Sequence, residues 1–136
     1  MRIRNYEDKD YDQFRDLLIN IGAYYDHLDT RKNFREKSKE DSDSIIVAED
    51  NGKLVGCCTY SGDPWMMHIF HFGTHSEFRR MGIGTKVLDE MERRIQEKGI
   101  RSVGLYVKPE NKEAIAFYKK RNWGEFDTYI CMEKNF

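Results

Sequence analysis

The sequence predicts an α/β fold in which a mixed sheet is flanked by helices. Three observations carry that expectation. Strand-like and helix-like segments alternate in the order β-α-α-β-β-β-α-β-α-β(-β), and an Asn51-Gly52 pair between two apolar runs marks a tight hairpin. In the passage Phe72 to Leu88 an aromatic run ends, Gly82 and Gly84 follow in close succession, and an amphipathic pattern begins. It reads as strand, tight turn and helix start.

The elements follow in order. Met1 to Asn5 is a short strand, and Asp8 or Asp10 caps a helix whose apolar residues Tyr11, Phe14, Leu17, Leu18 and Ile21 keep helical spacing up to Gly22. A connector, Tyr24 to Thr30, leads to a charged helix from about Arg31 to Lys39. Phe34 is its only large apolar residue, which predicts weak anchoring and mobility. Strands Ser44 to Glu49 and Leu54 to Tyr60 flank the Asp50-Lys53 turn, and Gly62-Asp63-Pro64 leads into a fourth strand, Trp65 to about Gly73. Gly73 is a candidate bulge or a point of close backbone approach. The helix from Ile83 places Val87, Leu88, Met91 and Ile95 on one face and ends at Gly99. Arg101 to Val107 is a fifth strand, Asn111 caps a helix running to Arg121, and Trp123 to Lys134 reads as one or two further strands.

Composition narrows the function classes. A chain of 136 residues suits a single domain, 1–136, and its 23 basic against 24 acidic side chains leave no basic stripe of the kind that nucleic-acid binders carry. No apolar run approaches the ~18 residues of a membrane span, and no hydrophobic leader follows Met1, so a cytoplasmic protein is expected. Three cysteines, with Cys57 and Cys58 adjacent, fit neither a disulfide framework nor a zinc spacing. No metal is expected.

The glycine-bearing turn has the geometry to hold an anion. Gly82 and Gly84 let the backbone curl, and the first N–H groups of the following helix have no intrahelical acceptor. Arg79, Arg80 and Lys86 add positive charge at the positive end of the helix dipole. A Walker loop would need Lys directly after the last glycine, but Thr85 stands there; a dinucleotide fingerprint would need a third glycine where Val87 stands. What does match is Arg79-x-x-Gly82-x-Gly84, which resembles the acyl-CoA pyrophosphate loop of the GNAT superfamily of N-acyltransferases. The segment Pro109 to Trp123 resembles the second signature of that family, at the usual separation. Asn122 stands where the family has glycine, and Ser76 where it often has proline.

The resemblance implies a GNAT-like, mostly antiparallel mixed sheet whose fourth and fifth strands splay apart, with acetyl-CoA as co-substrate. The backbone from Arg79 and Arg80 through Met81, Gly82, Ile83 and Gly84 to Thr85 would hold the pyrophosphate. Phe72, Gly73 and Thr74 would pair with pantetheine like an added strand, and Asn111 and Phe117 would contact the cofactor from the following helix. Acyl transfer also needs an oxyanion donor, an acid for the leaving thiolate and a base for the amine. The family's solutions place a backbone N–H near Phe72 and a tyrosine at Tyr118 in the first two roles. For the base, His68 is favoured over His71, Glu77 or water, and the two histidines have opposite parity on a regular strand.

The expected activity is acetyl transfer from acetyl-CoA to a primary amine of a small molecule or protein, by direct attack in a ternary complex. A non-catalytic acyl-CoA sensor is the alternative. By the same resemblance the connector, with Tyr24, Tyr25, Asp26, His27 and Asp29, helps to shape the acceptor pocket, and its acidic Asp26 and Asp29 would favour a cationic acceptor. The expected partners are acetyl-CoA and the amine, with a homodimer open and neither nucleic acid nor membrane.

Overall fold

The computed structural model describes residues 1–136, which divide into two compact units, Met1–Leu105 and Tyr106–Phe136. The first unit holds strands β1 (Arg2–Asn5), β2 (Ile45–Asp50), β3 (Lys53–Gly62), β4 (Met67–Thr74) and β5 (Val103–Gly104), with helices α1 (Tyr11–Asn20), α2 (Arg31–Glu40) and α3 (Ile83–Glu97). The second holds α4 (Lys112–Lys120). The sheet order is β1-β2-β3-β4-β5, antiparallel except for the parallel pair β4–β5.

Strand alternation explains how the sheet is covered. Val47 and Cys57 face each other across β2 and β3 and join Phe14, Leu17 and Leu18 of α1 and Phe34 of α2 in one buried cluster. Their neighbours Ala48 and Gly56 point to the opposite face, where a Cβ on Gly56 would lie 2.8 Å from Ile83 Cγ2. That face belongs to α3, which buries Ile83, Val87, Leu88, Met91 and Ile95 as the spacing predicts. The Asn51-Gly52 turn has the positive φ angles, 49° and 79°, that its sequence calls for.

Several expectations need correction. The Asp10 side chain does not cap α1; it accepts from Arg4 Nη1 at 2.8 Å and from the Glu7 N–H at 2.8 Å, tying the chain entering α1 to β1. Helix α2 is firmly attached. Phe34 is buried, Arg31 and Arg35 both bond Asp8, and Lys37 Nζ donates to the Tyr60 carbonyl at 2.6 Å. A polar face can anchor a helix when its charges find partners on other elements, which counting apolar residues overlooks. The fifth strand is Val103–Gly104, shorter than expected, and residues 123–136 form no strand. Within their own unit those residues accompany only α4, and a strand needs a partner ladder.

The bulge in β4 lies at Phe70. His71 pairs with Thr59 and Ile69 with Tyr60, so Phe70 is the extra residue. Gly73 is instead the point of close approach, since a Cβ there would meet Ile21 Cδ1 at 2.9 Å and Ile21 Cβ at 3.1 Å. β5 lies opposite Met67 and His68 only, leaving the β4 edge from Ile69 to Thr74 without β5 beside it. The divergence therefore begins at Ile69, four residues before Gly73 along the strand, and α3 starts at its far end, because Gly56 beneath Ile83 pairs with Thr74.

Gly73→Ala is expected to lower stability by about 1–3 kcal/mol, because the added methyl must displace Ile21 at the end of α1. Urea unfolding measures the change, and an unaltered midpoint would show that Ile21 moves aside freely.

Candidate active site

The loop between β4 and α3 is built by backbone angles. His75 Nδ1 accepts the Glu77 N–H at 3.2 Å and opens a short turn, Ser76–Phe78. Arg80 then takes φ 65° and Gly82, the residue before α3, φ 77°. A Cβ on Gly82 would meet nothing within 4 Å, so the angle and not crowding calls for glycine there. The Lys86 N–H bonds the Gly82 carbonyl at 3.1 Å, closing the first turn. The N–H groups of Ile83, Gly84 and Thr85 are left without intrahelical acceptors. Arg79 and Arg80 are exposed beside them.

The sequence does not reveal how this loop is fixed. The Ser76 N–H donates to Asn20 Oδ1 at 2.8 Å and Asn20 Nδ2 donates to Ser76 Oγ at 3.0 Å, fastening the loop to the end of α1. Ser76 thus supplies through side-chain bonding a constraint that proline would supply through its ring. Glu77 pairs with Lys53 at 3.6 Å on the surface.

The bulge changes the histidine geometry. Because Phe70 is extra, His68 opposite Ser61 and His71 opposite Thr59 lie on the same face of the sheet, contrary to the parity of a regular strand. That face is the α1–α2 side, since Cys57 shares it. His68 is half-buried. His71 is held at both ring nitrogens, with Nδ1 at 2.6 Å from Thr59 Oγ1 and Nε2 at 2.9 Å from Asp29 Oδ1. Burial pushes its imidazole below the ordinary value of 6.5, and the Asp29 carboxylate offsets only part of the shift. Asp29 is itself buried, so it faces inward and does not present its charge to an acceptor; Asp26 remains exposed. Cys57 and Cys58 are buried, and desolvation pushes the Cys57 thiol up to about 12. They are inert packing groups.

In the second unit, Asn111 Oδ1 accepts the Ala114 N–H at 3.2 Å and caps α4. At the other end Asn122 takes φ 67°. The Trp123 N–H bonds the Tyr118 carbonyl at 3.0 Å and the Asn122 N–H bonds Lys119 at 3.1 Å, the paired closure that usually employs glycine. Tyr118 packs between Phe117 and Trp123, with ring centroids 5.4 and 5.3 Å away. The structure thus gathers Phe72, Gly73 and Thr74, the Arg79–Thr85 loop and His68 in the first unit, and Asn111, Phe117 and Tyr118 on or beside α4 in the second.

The acetyltransferase (GNAT) family model matches residues 4–123. The chain belongs to this family. An acetyltransferase of Pectobacterium atrosepticum is 26% identical over 132 residues, covering 97% of this chain and 92% of that protein. Ard1 from Thermoplasma volcanium superposes with a TM-score of 0.78 at 29% identity, covering 88% of this chain and 80% of Ard1. The PaiA N-acetyltransferase of Thermoplasma acidophilum, solved with coenzyme A, gives 0.82 at 19% identity over 94% and 92% of the two chains. The activity class of a GNAT acetyltransferase is acyl-CoA-dependent acetyl transfer, with acetyl-CoA as co-substrate. No helix is long and apolar enough to cross a membrane.

The lowered His71 value gives stability a pH dependence. The folded chain favours the neutral ring, so the unfolded chain binds more protons once pH falls below about 6.5. Stability is therefore expected to be full above that pH and to fall as pH drops through it, by up to about 1.4 kcal/mol per pH unit for one proton. Glu90, which bonds from Arg93 and Arg94 hold down at about 2, acts at far lower pH. Urea unfolding at pH 7.5, 6.5 and 5.5 tests this, with a slope that His71→Gln flattens; equal slopes in the two proteins would remove the assignment.

Proposed function

We propose that this chain is an N-acetyltransferase that moves an acetyl group from acetyl-CoA to a primary amine by direct attack in a ternary complex. One observation carries the reading: Gly82, in a left-handed conformation, presents the open N-terminus of α3 beside the end of β4, the strand from which β5 diverges. The donors fit a pyrophosphate, since three successive helix N–H groups and the side chains of Arg79, Arg80 and Lys86 complement its charge. The coenzyme A bound to the structurally similar PaiA enzyme supports the same ligand here.

In this reading the backbone from Arg79 to Thr85, Met81 and Ile83 included, holds the pyrophosphate, and the β4 edge at Phe72, Gly73 and Thr74 pairs with pantetheine. An N–H near Phe72 serves the oxyanion. Asn111 and Phe117 are the cofactor contacts this reading assigns to the second unit, and the family match runs through residues of both units. The connector between α1 and α2 borders the acceptor. His68 takes the amine proton, directly or through water, because His71 has both nitrogens engaged and Glu77 is paired with Lys53 at the surface. Burial of Cys57 and Cys58 argues against an acyl-enzyme on either thiol.

Tyr118 protonates the departing thiolate. With ordinary values of about 10 for a phenol and about 8.5 for a thiol, that transfer is uphill by roughly 2 kcal/mol, so the site must narrow the gap. Acetyl-CoA consumption against a panel of amines tests the activity itself. Cofactor binding without turnover on any of them would favour a sensor.

Gly82→Val is expected to weaken acetyl-CoA binding at least tenfold and Arg79→Ala by severalfold at most, since a β-branched residue resists the left-handed angle that sets the loop. Titration calorimetry ranks the two, and the reverse order would make side-chain charge the main term.

Tyr118→Phe keeps the packing against Trp123 and removes the proton, so kcat is expected to drop about a hundredfold with little change in acetyl-CoA affinity. Turnover within about twofold of the parent would restrict Tyr118 to packing.

A further inference from the structure

Within the first unit, Thr59 on β3, His71 on β4 and Asp29 at the end of the α1–α2 connector form a buried hydrogen-bonded row. Its direction can be worked out from the donors. The His71 backbone N–H donates to Thr59 Oγ1 at 3.1 Å, which leaves the hydroxyl proton to donate to His71 Nδ1, 2.6 Å away. The ring then carries its proton on Nε2 and donates it to Asp29 Oδ1 at 2.9 Å. The other Asp29 oxygen accepts the Tyr25 N–H at 2.8 Å, and the Asp29 carbonyl accepts the Tyr11 hydroxyl at 2.8 Å. The opposite tautomer would aim two donors at Thr59 Oγ1 and leave Asp29 Oδ1 facing a bare ring nitrogen. Of the two neutral tautomers, only the one protonated at Nε2 satisfies every group.

The surroundings keep it neutral and rigid. From α2, the Phe34 ring centroid lies 5.8 Å from that of His71, and the Lys37 ammonium, bonded to the Tyr60 carbonyl, opposes a second positive charge. Thr59 is 1% exposed, which rules it out as a nucleophile towards any substrate. A row with its donors and acceptors all engaged is built to hold parts in place. What it joins is telling. Its middle member, His71, is the residue that follows the β4 bulge, one end is Thr59 on β3, and the other end lies in the connector carrying the exposed residues Tyr25, Asp26 and Leu28.

We propose that Asp29, His71 and Thr59 are positioning residues that clamp the α1–α2 connector to the bulged stretch of β4, fixing the wall that meets the acceptor. The assignment of this wall to the acceptor rests on the acetyltransferase reading above. The clamp sets the conformation of residues 24–30 and leaves the phosphate loop alone, which is fastened separately through Asn20 and Ser76.

The test uses the full chain with Thr59→Val, His71→Gln and His71→Leu. Nitrogen-15 NMR of the parent at pH 7.5 should show a single His71 tautomer protonated at Nε2, and Thr59→Val, in which Asp29 still accepts from Nε2, should keep that tautomer but move the Nδ1 resonance as its hydroxyl donor is lost. Amide hydrogen exchange over residues 24–30 should quicken at least tenfold in Thr59→Val and His71→Leu, with the β2 amides of Ile46 and Val47 still protected. Gln can place an amide donor where Nε2 stands, so His71→Gln should keep connector exchange within about threefold of the parent. Acetyl-CoA affinity by calorimetry should stay within twofold in all three. A parent ring protonated at Nδ1, or connector exchange unchanged in both Thr59→Val and His71→Leu, would overturn the clamp. Loss of protection spread evenly over the sheet in every variant would overturn it too, by reducing the row to ordinary core packing. If the parent itself failed to bind acetyl-CoA, the acetyltransferase reading would fall, while the NMR and exchange results would still decide the clamp.

Discussion

The register of β4 against β3 governs the arrangement of the rest of the first unit. Ahead of Phe70 the strand pairs Met67, His68 and Ile69 with Gly62, Ser61 and Tyr60; after it, His71 to Thr74 pair with Thr59 to Gly56. One inserted residue turns two stretches that would share a single alternation into stretches of opposite phase. Gly73 consequently faces α1, where Ile21 approaches too closely for a side chain, and Thr74 lies beside the Gly56 that admits Ile83. Without the insertion, His71 would point towards α3 and Gly73 away from Ile21. The helices, the loop between β4 and α3 and the buried polar row all depend on that phase.

The bulge also explains which parts of the chain were legible in the sequence. Features set by local chemistry were readable. The Asn51-Gly52 turn, the buried stripe of α3, the Asn111 cap and the left-handed Asn122 each follow from a residue type at a fixed offset, and each appears as expected. Features set by pairing were not. An inserted residue is visible only against the partner strand, so alternation counted along β4 assigned the histidines to opposite faces. The same reason applies to α2, whose attachment rests on Asp8 and Tyr60, residues far from it in sequence. Asp29 looked like a surface charge because nothing in the connector shows that its partner is a histidine 42 residues on.

For the candidate site the division is similar. The loop from Arg79 to Thr85 was legible because its open backbone N–H groups follow from glycine and helix-start signals. Arg80 at positive φ was not, since arginine carries no such signal. Ser76 in place of a frequent proline looked like a loss of rigidity. Its two bonds with Asn20 show that the constraint has moved to a different pair of residues.

The two sides of the first unit thus differ in what holds them. The loop between β4 and α3 depends on one left-handed glycine ahead of its open helix N–H groups and on the two Asn20–Ser76 bonds. On the other side, the connector is held by side chains: Asp29 through His71 and Thr59, Tyr11 through the Asp29 carbonyl, and Thr30 through its bond with the Asn33 N–H. Its outward residues, Tyr25, Asp26 and Leu28, take no part in that bonding through their side chains except for the exposed Asp26–His27 pair. They can vary while the clamp beneath them keeps the chain path. The bonded inner row thus separates what supports the connector from the residues that the connector exposes.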